Sequence, residues 1–191
     1  MTRDDLFKTN ANIVADLLSS VAKFCLTAFV TIITDTINST APIAVEMLKK
    51  ASVFNARKVF GLTTLDVFCA SIFVAHILGK QNPQELKVPP LVELSQEQLE
   101  AITHRAGSAT TCMAYARFRF ARAIIKALKG EAGILEPAHV YLPGVSGGED
   151  VTKKLGGDYF AVATKFGADG AAKAFNIGQL SSYKEGLLKQ Q

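Results

Sequence analysis

Leu6, Ile13, Val14, Leu17, Leu18 and Val21 recur at helical spacing and predict a helix over residues 2–23, with Thr2 and Asp5 as a capping pair. The next run, "FCLTAFVTII" (24–33), is β-branched and aromatic and has no polar residue beyond Thr, so it reads as a buried strand. "TDTINST" (34–40) is a polar loop, and Ser39 and Thr40 before Pro42 open a second helix that runs through Lys50. "KVFGLT" (58–63) is a second short strand. Thr63 and Asp66 then cap a helix to about Gly79. Helix, strand, helix, strand, helix is the rhythm of an α/β layer on a parallel sheet.

The pattern changes after this point. "KQNPQELKVPPLVEL" (80–94) is interrupted by Pro and reads as linker or edge structure. Ser95 and Gln98 begin a helix to about Arg105, "AGSATT" breaks it, and a long helix runs from about Cys112 to Lys129, closed by Gly130. At roughly 100° per residue, Met113, Ala114, Phe118, Phe120, Ala121, Ile124, Ile125 and Leu128 share one face of that helix. Arg119, Arg122, Lys126 and Lys129 share the other. Arg117 falls within the apolar face, where it either snorkels to the surface or points into a pocket. "GILEPAHVYLPG" and "DYFAVATKF" predict antiparallel strands around a Gly-rich turn, and a last helix starts at Ser181. The break in style near residue 85 divides an α/β part from an α+β part.

Composition narrows the class. The 191 residues are 49% hydrophobic and 20% charged, with only 6 Pro, which is globular rather than disordered. A net charge of +4 without a dense Lys/Arg stripe among aromatics argues against nucleic acid. The apolar run from Ile13 to Ile33 is interrupted by Asp16 and Lys23, so no membrane span is expected. Cys25, Cys69 and Cys112 are odd in number and lack CxxC spacing, which argues against disulfides or zinc and for an intracellular, reducing compartment. Cys25 and Cys112 read as small buried hydrophobes. His76, His104 and His139 read as ordinary structural or surface histidines.

"MTRDDLFKTNANIV", "INSTAPIAVEMLKK", "KVFGLTTLDV" and "AGSATTCMAYA", followed in order by "KGEAGILE", "DYFA" and "IGQLSSYKEGLL", together closely resemble mitochondrial-type, NAD-dependent malate dehydrogenase. The resemblance covers most of the chain, with gaps. It implies an α/β fold: a partial Rossmann-like parallel sheet lacking its first βαβ unit, then an α+β domain of the lactate/malate dehydrogenase C-terminal type. The implied domains are a remnant of the NAD-binding domain at 1–85 and a substrate and dimerisation domain at 86–191. It also implies NAD as cofactor, a small dicarboxylate (malate or oxaloacetate) as substrate, and a homo- or heterodimer.

The same resemblance assigns residues. Arg3 falls on a substrate-clamping arginine, and Asp66 on the carboxylate that orients the catalytic histidine. Read without the resemblance, Asp66 is a capping-box carboxylate, and both roles can hold together. Asn10, Ile33 and Met113 fall on cofactor contacts, and Met113 also reads as core.

Several positions depart from the family pattern. Cys69 stands where the family has its key substrate arginine, and a thiol cannot replace a bidentate guanidinium. Asp35 stands where the family has a donating asparagine, and an ionised aspartate repels a dicarboxylate. The family's catalytic histidine sits in a "GGHAG"-like loop, but here "KVPP" runs directly into "LVELSQEQLEAI". Arg117 occupies a position with a small residue in the family. No GxGxxG occurs among the 14 glycines, so the dinucleotide cradle is missing and a sheet edge is expected to lie uncovered. The expectation is therefore an oxidoreductase lineage with an inactive or severely impaired chain. The alternatives are a non-catalytic partner of a full-length malate dehydrogenase and the product of a truncated gene.

Overall fold

The computed structural model describes residues 3–34, 36–67 and 110–179, with single positions 70, 79 and 186. The described elements are α1 (Arg3–Phe24), β1 (Val30–Ile32), α2 (Ile37–Lys50), β2 (Val59–Leu62), α3 (Thr110–Leu128), β3 (Leu135–Tyr141), a 3₁₀ turn (Leu142–Gly144), α4 (Gly148–Leu155), β4 (Tyr159–Gly167) and β5 (Gly170–Ala174). The chain forms two compact units. One joins Met1–Leu62 to Arg122–Gln191, and the other is Thr63–Ala121.

The first unit is built on one five-stranded sheet in the order β1-β2-β3-β4-β5. β1 and β2 are parallel, with Val30 opposite Val59 and Ile32 opposite Gly61. β3 then pairs antiparallel to β2, Gly61 opposite His139. β3, β4 and β5 continue antiparallel, with a bulge between Lys165 and Phe166. This is an α/β fold with a mixed sheet, and the two strands expected from the first half are continuous with those of the second.

Alternation along β2 sends Val59 to one face and Phe60 to the other. On the first face Val59 and Ile32 pack with Val14 and Leu18 of α1 and with Ala41, Ala44, Val45 and Leu48 of α2. On the second, the Phe60 ring meets Phe166 edge-on with centroids 5.1 Å apart. Phe29 stacks on Phe60 at 6.3 Å.

Several elements differ from expectation. The strand expected over 24–33 shrinks to Val30–Ile32. The helical period of α1 carries on through Phe24, and Cys25 N–H donates to the Val21 carbonyl at 2.9 Å. The chain then needs a turn, with Ala28 N–H on the Cys25 carbonyl, before it can run beside β2. Cys25, expected buried, is exposed there. α2 begins at Ile37, ahead of the expected Ser39 and Thr40. The Thr36 carbonyl starts it by accepting from the N–H groups of both Ser39 and Thr40. Thr36 is in the left-handed region (φ 58°) and makes no side-chain cap, and Pro42 falls inside the helix. The link from β3 to β4 holds α4 rather than a turn alone, and β5 was not anticipated.

α3 departs most. Ala116, Phe120, Ala123, Ile124 and Ala127 are buried. Ala114, Phe118, Ala121, Ile125 and Leu128, expected on the same buried face, are exposed, Phe118 by 62%. The single apolar face is thus two stripes, one of them open. Arg117 is exposed, as the snorkelling reading requires. The helices expected over 95–105 and from Ser181, and most of that to Gly79, lie outside the described residues.

Candidate functional site

In sheets of this kind ligands bind beyond the carboxyl ends of parallel strands. At the end of β1 the chain passes through Ile33 and Thr34 into the N-terminus of α2. Thr34 Oγ1 donates to Thr40 Oγ1 at 2.9 Å, and Thr40 Oγ1 donates back to the Thr36 carbonyl at 3.3 Å. No acidic residue occupies the first turn of α2. The Thr36 hydroxyl is buried without a hydrogen-bond partner.

At the end of β2 sits Gly61. A Cβ there would lie 2.9 Å from His139 Cβ and 3.0 Å from Ile37 Cγ1, so only glycine lets β2, β3 and the start of α2 meet. His139 is buried on this face, and its Nδ1 has no partner. Burial holds its pKa below the ordinary histidine value. The sign follows: unfolded chains take up a proton near pH 6.5 that the folded chain refuses, so stability falls as pH drops below about 6.5. His139→Gln is expected to flatten that part of the profile, read as urea midpoints at pH 7.5 and 5.5. An unchanged slope would remove His139 as its source.

The assigned residues are divided between the two units or lie outside the described residues. Asp66 is exposed on the helical stretch 64–67 of the second unit. Val67 N–H closes its first turn on the Thr63 carbonyl at 3.3 Å. The Thr63 hydroxyl is buried without a partner, so it does not supply the expected cap. Asn10 is half-buried on α1 and Ile33 half-buried after β1. For Arg3 and Met113 only the backbone is described, in α1 and α3. The Cys112 side chain, Asp35, Cys69, His76 and His104 lie outside the described residues.

Ile33 and Thr34 do close one end of a groove of about 600 Å³ between α1 and β1. Leu17, Val21 and Phe24 line one wall, and Val30 and Ile32 the other. No lining residue is charged. Such walls suit an apolar moiety, but they offer no cation and no glycine-rich turn for a pyrophosphate. The described residues therefore do not fit a whole dinucleotide. Among them no cluster of His, Cys, Asp and Glu suits a metal. No described helix is long and apolar enough to cross a membrane.

One cluster escaped the sequence reading. Lys49 Nζ sits 4.1 Å from the Tyr141 ring centroid and 2.8 Å from Glu46 Oε1. Tyr159 Oη donates to the same Glu46 oxygen at 3.0 Å. The hydrogen bond to Glu46 raises the Lys49 pKa, the one from Lys49 lowers that of Glu46, and burial first pushes Tyr159 up to about 12. The cluster ties α2 to β3 and β4. Only the register that places Tyr141 opposite Tyr159 reveals it.

Sheet, helices and motif order together define an α/β protein of the dehydrogenase type, with part of a nucleotide-binding sheet. Residues 1–61 match the profile of the lactate/malate dehydrogenase NAD binding domain. Residues 91–191 match that of the lactate/malate dehydrogenase alpha/beta C-terminal domain. The malate dehydrogenase of Vibrio campbellii is 38% identical over 219 residues, covering 98% of this chain and 67% of that protein. The mitochondrial malate dehydrogenase of Caenorhabditis elegans is 36% identical, covering 98% of this chain and 61% of that protein. In fold, the crystal structure of Cryptosporidium parvum malate dehydrogenase matches with a TM-score of 0.72 at 21% identity, over 100% of this chain and 68% of that one. The lactate dehydrogenase of the same organism, complexed with lactic acid and b-nicotinamide adenine dinucleotide, matches with a TM-score of 0.69 at 21% identity, over 98% of this chain and 67% of that one. The chain belongs to the lactate/malate dehydrogenase family. It spans about three fifths to two thirds of the length of these curated relatives.

Proposed function

We propose that this chain is a malate dehydrogenase-like protein, in the line of enzymes that interconvert malate and oxaloacetate with NAD, and that by itself it turns over little or no substrate. The observation that carries this reading is internal to the matched region. The alignment to the Vibrio relative runs over 219 residues, more than the 191 present here, so the relative carries segments within the match that this chain lacks. We assign the missing histidine loop to such a gap, because "KVPP" runs directly into "LVELSQEQLEAI". Cys69 and Asp35 remove the cationic and donating contacts that a dicarboxylate needs.

Loss of a general acid–base group costs about 10²- to 10⁴-fold in rate. Loss of a charged substrate contact costs roughly 2–5 kcal/mol more, by analogy with interface charge pairs. NADH oxidation by the purified chain with oxaloacetate, beside an Asp66→Asn control, is expected to show no rate above background. A robust rate abolished by Asp66→Asn would overturn the proposal.

The open stripe of α3 favours a second reading, a non-catalytic partner of a full-length malate dehydrogenase. Phe118 and Ile125, 62% and 52% exposed, with small Ala114 and Ala121 in line with them, make a seam on which a helix could close. Light scattering of the chain mixed with a complete relative is expected to show a complex that Phe118→Lys disrupts.

A further inference from the structure

We propose that the first turn of α2 is a pH-gated flap at the carboxyl ends of β1 and β2, held shut by Ile37 as long as the neighbouring His139 imidazole carries no charge. This goes beyond the catalytic reading and does not depend on it.

The contact that shuts the flap lies over Gly61. His139 Cβ and Ile37 Cγ1 come within 2.9 and 3.0 Å of the point where a Gly61 side chain would start. Ile37 also packs on the core shared by α1, α2, β1 and β2. The turn that carries it is otherwise weakly anchored. Thr36 enters the turn at φ 58° and ψ 50°, a left-handed conformation that strains a β-branched residue. The Thr36 hydroxyl is buried without a partner and caps nothing. Pro42 has no N–H to offer the Asn38 carbonyl, so the ladder that joins the first turn to the rest of α2 lacks a rung. A hydroxyl latch opposes opening: Thr34 Oγ1 donates to Thr40 Oγ1, which donates to the Thr36 carbonyl.

His139 supplies the trigger. It is 5% exposed, and its Nδ1 has no partner. Ala161, directly opposite on β4, is exposed, so solvent already reaches the next strand. No described charge stands ready to hold an imidazolium here. β1 and β2 carry no ionisable side chain. On β3, Tyr141 shares the face of His139, and Glu136 points to the other face. Tyr159 of β4 lies opposite Tyr141, bonded to Glu46 of α2, which also holds Lys49. Lys165 of β4 is four residues further along. Asp35 lies outside the described residues. Burial favours the neutral ring. Opening hydrates the imidazolium, so the open state gains as pH falls through the ordinary histidine value. Between pH 7.5 and 5.5 the opening equilibrium rises by up to about tenfold. Acid thereby uncovers the end of the sheet where ligands bind in folds of this kind.

The test is hydrogen exchange of the full chain, corrected for the intrinsic pH dependence of the amides. Ser39 and Thr40 N–H close the first turn on the Thr36 carbonyl. Their protection is expected to fall several-fold from pH 7.5 to 5.5, while the amides of residues 44–50 keep theirs. His139→Gln is expected to abolish the fall. Thr40→Val, which removes the latch and keeps the shape, is expected to loosen the turn already at pH 7.5. It is also expected to move the His139 titration, followed by NMR, up toward the ordinary value. If His139→Gln fails to fold, that titration decides. Equal protection at both pH values overturns the proposal. So does loss of protection along the whole of α2 together, which is unfolding of the helix and not a flap. A His139 titration unmoved by Thr40→Val overturns it as well.

Discussion

Gly170→Ala is expected to lower the melting temperature by roughly 10 °C, and Gly170→Val to leave little native protein. Gly170 holds φ at +104°, where an L side chain is strained. Space is the larger problem, because a Cβ there would run into the Arg57 carbonyl oxygen. That oxygen accepts the Ala171 N–H at 2.8 Å, and Arg57 Nε donates to the Ala171 carbonyl at 3.1 Å. The loop after α2 is therefore stitched to the β4–β5 hairpin at Ala171, next to a position that cannot carry a side chain. Strain, steric push and the loss of this paired contact together cost about 3–5 kcal/mol. In a chain of this size each kcal/mol moves the melting point by about 2–4 °C. Thermal melting followed by circular dichroism checks this. A shift within a few degrees would show that loop and hairpin do not touch in solution.

The sequence made α1, α2, β2, β3, β4 and the extent of α3 readable because each carries a clear period and a clear stop. It misled where one pattern served two purposes. "FCLTAFVTII" has no polar residue beyond Thr, but its first residue completes a helix and its next five make a turn. Only the four residues of β2 could say how little of the run pairs. α3 has an apolar arc wide enough for one broad buried face. The fold buries the stripe through Phe120 and Ile124 and leaves the one through Phe118 and Ile125 open. Periodicity gives the direction of a side chain around a helix, but not what stands opposite it. Cys25 fails for the same reason, since its apolar neighbours belong to a turn.

The candidate site was legible mainly through motif order, because its residues are far apart in the chain and carry no short spacing of their own. Arg3, Asn10, Asp66 and Met113 cannot be tied to one another by any local pattern. The Lys49 cluster lay hidden for a related reason: Glu46 and Lys49 are one helical turn apart, but Tyr141 and Tyr159 reach them only through strand register. What the described residues supply at the ends of β1 and β2 is a hydroxyl-lined turn, a glycine forced by His139 and an uncharged groove. Those features belong to the part of the sheet that matches the family's NAD binding domain.

Phe60→Ala is expected to cost about 3–5 kcal/mol, the range for emptying a buried aromatic site. Phe60 is 1% exposed on β2, whose neighbours are parallel on one side and antiparallel on the other, and its ring contacts both Phe29 and Phe166. It is therefore the side chain through which the parallel pair and the antiparallel strands share one core. Phe166 is equally buried, and the two rings stand at 88°. An edge-to-face pair of this kind is worth about 0.5–1.5 kcal/mol beyond area. Urea unfolding of Phe60→Leu, Phe166→Leu and the double variant should thus show a coupling of that size. Additivity would mean that the rings do not meet, and that the sheet is not continuous from β2 through β3 to β4. A measured coupling would mean that the rings of β2 and β4 meet within one core.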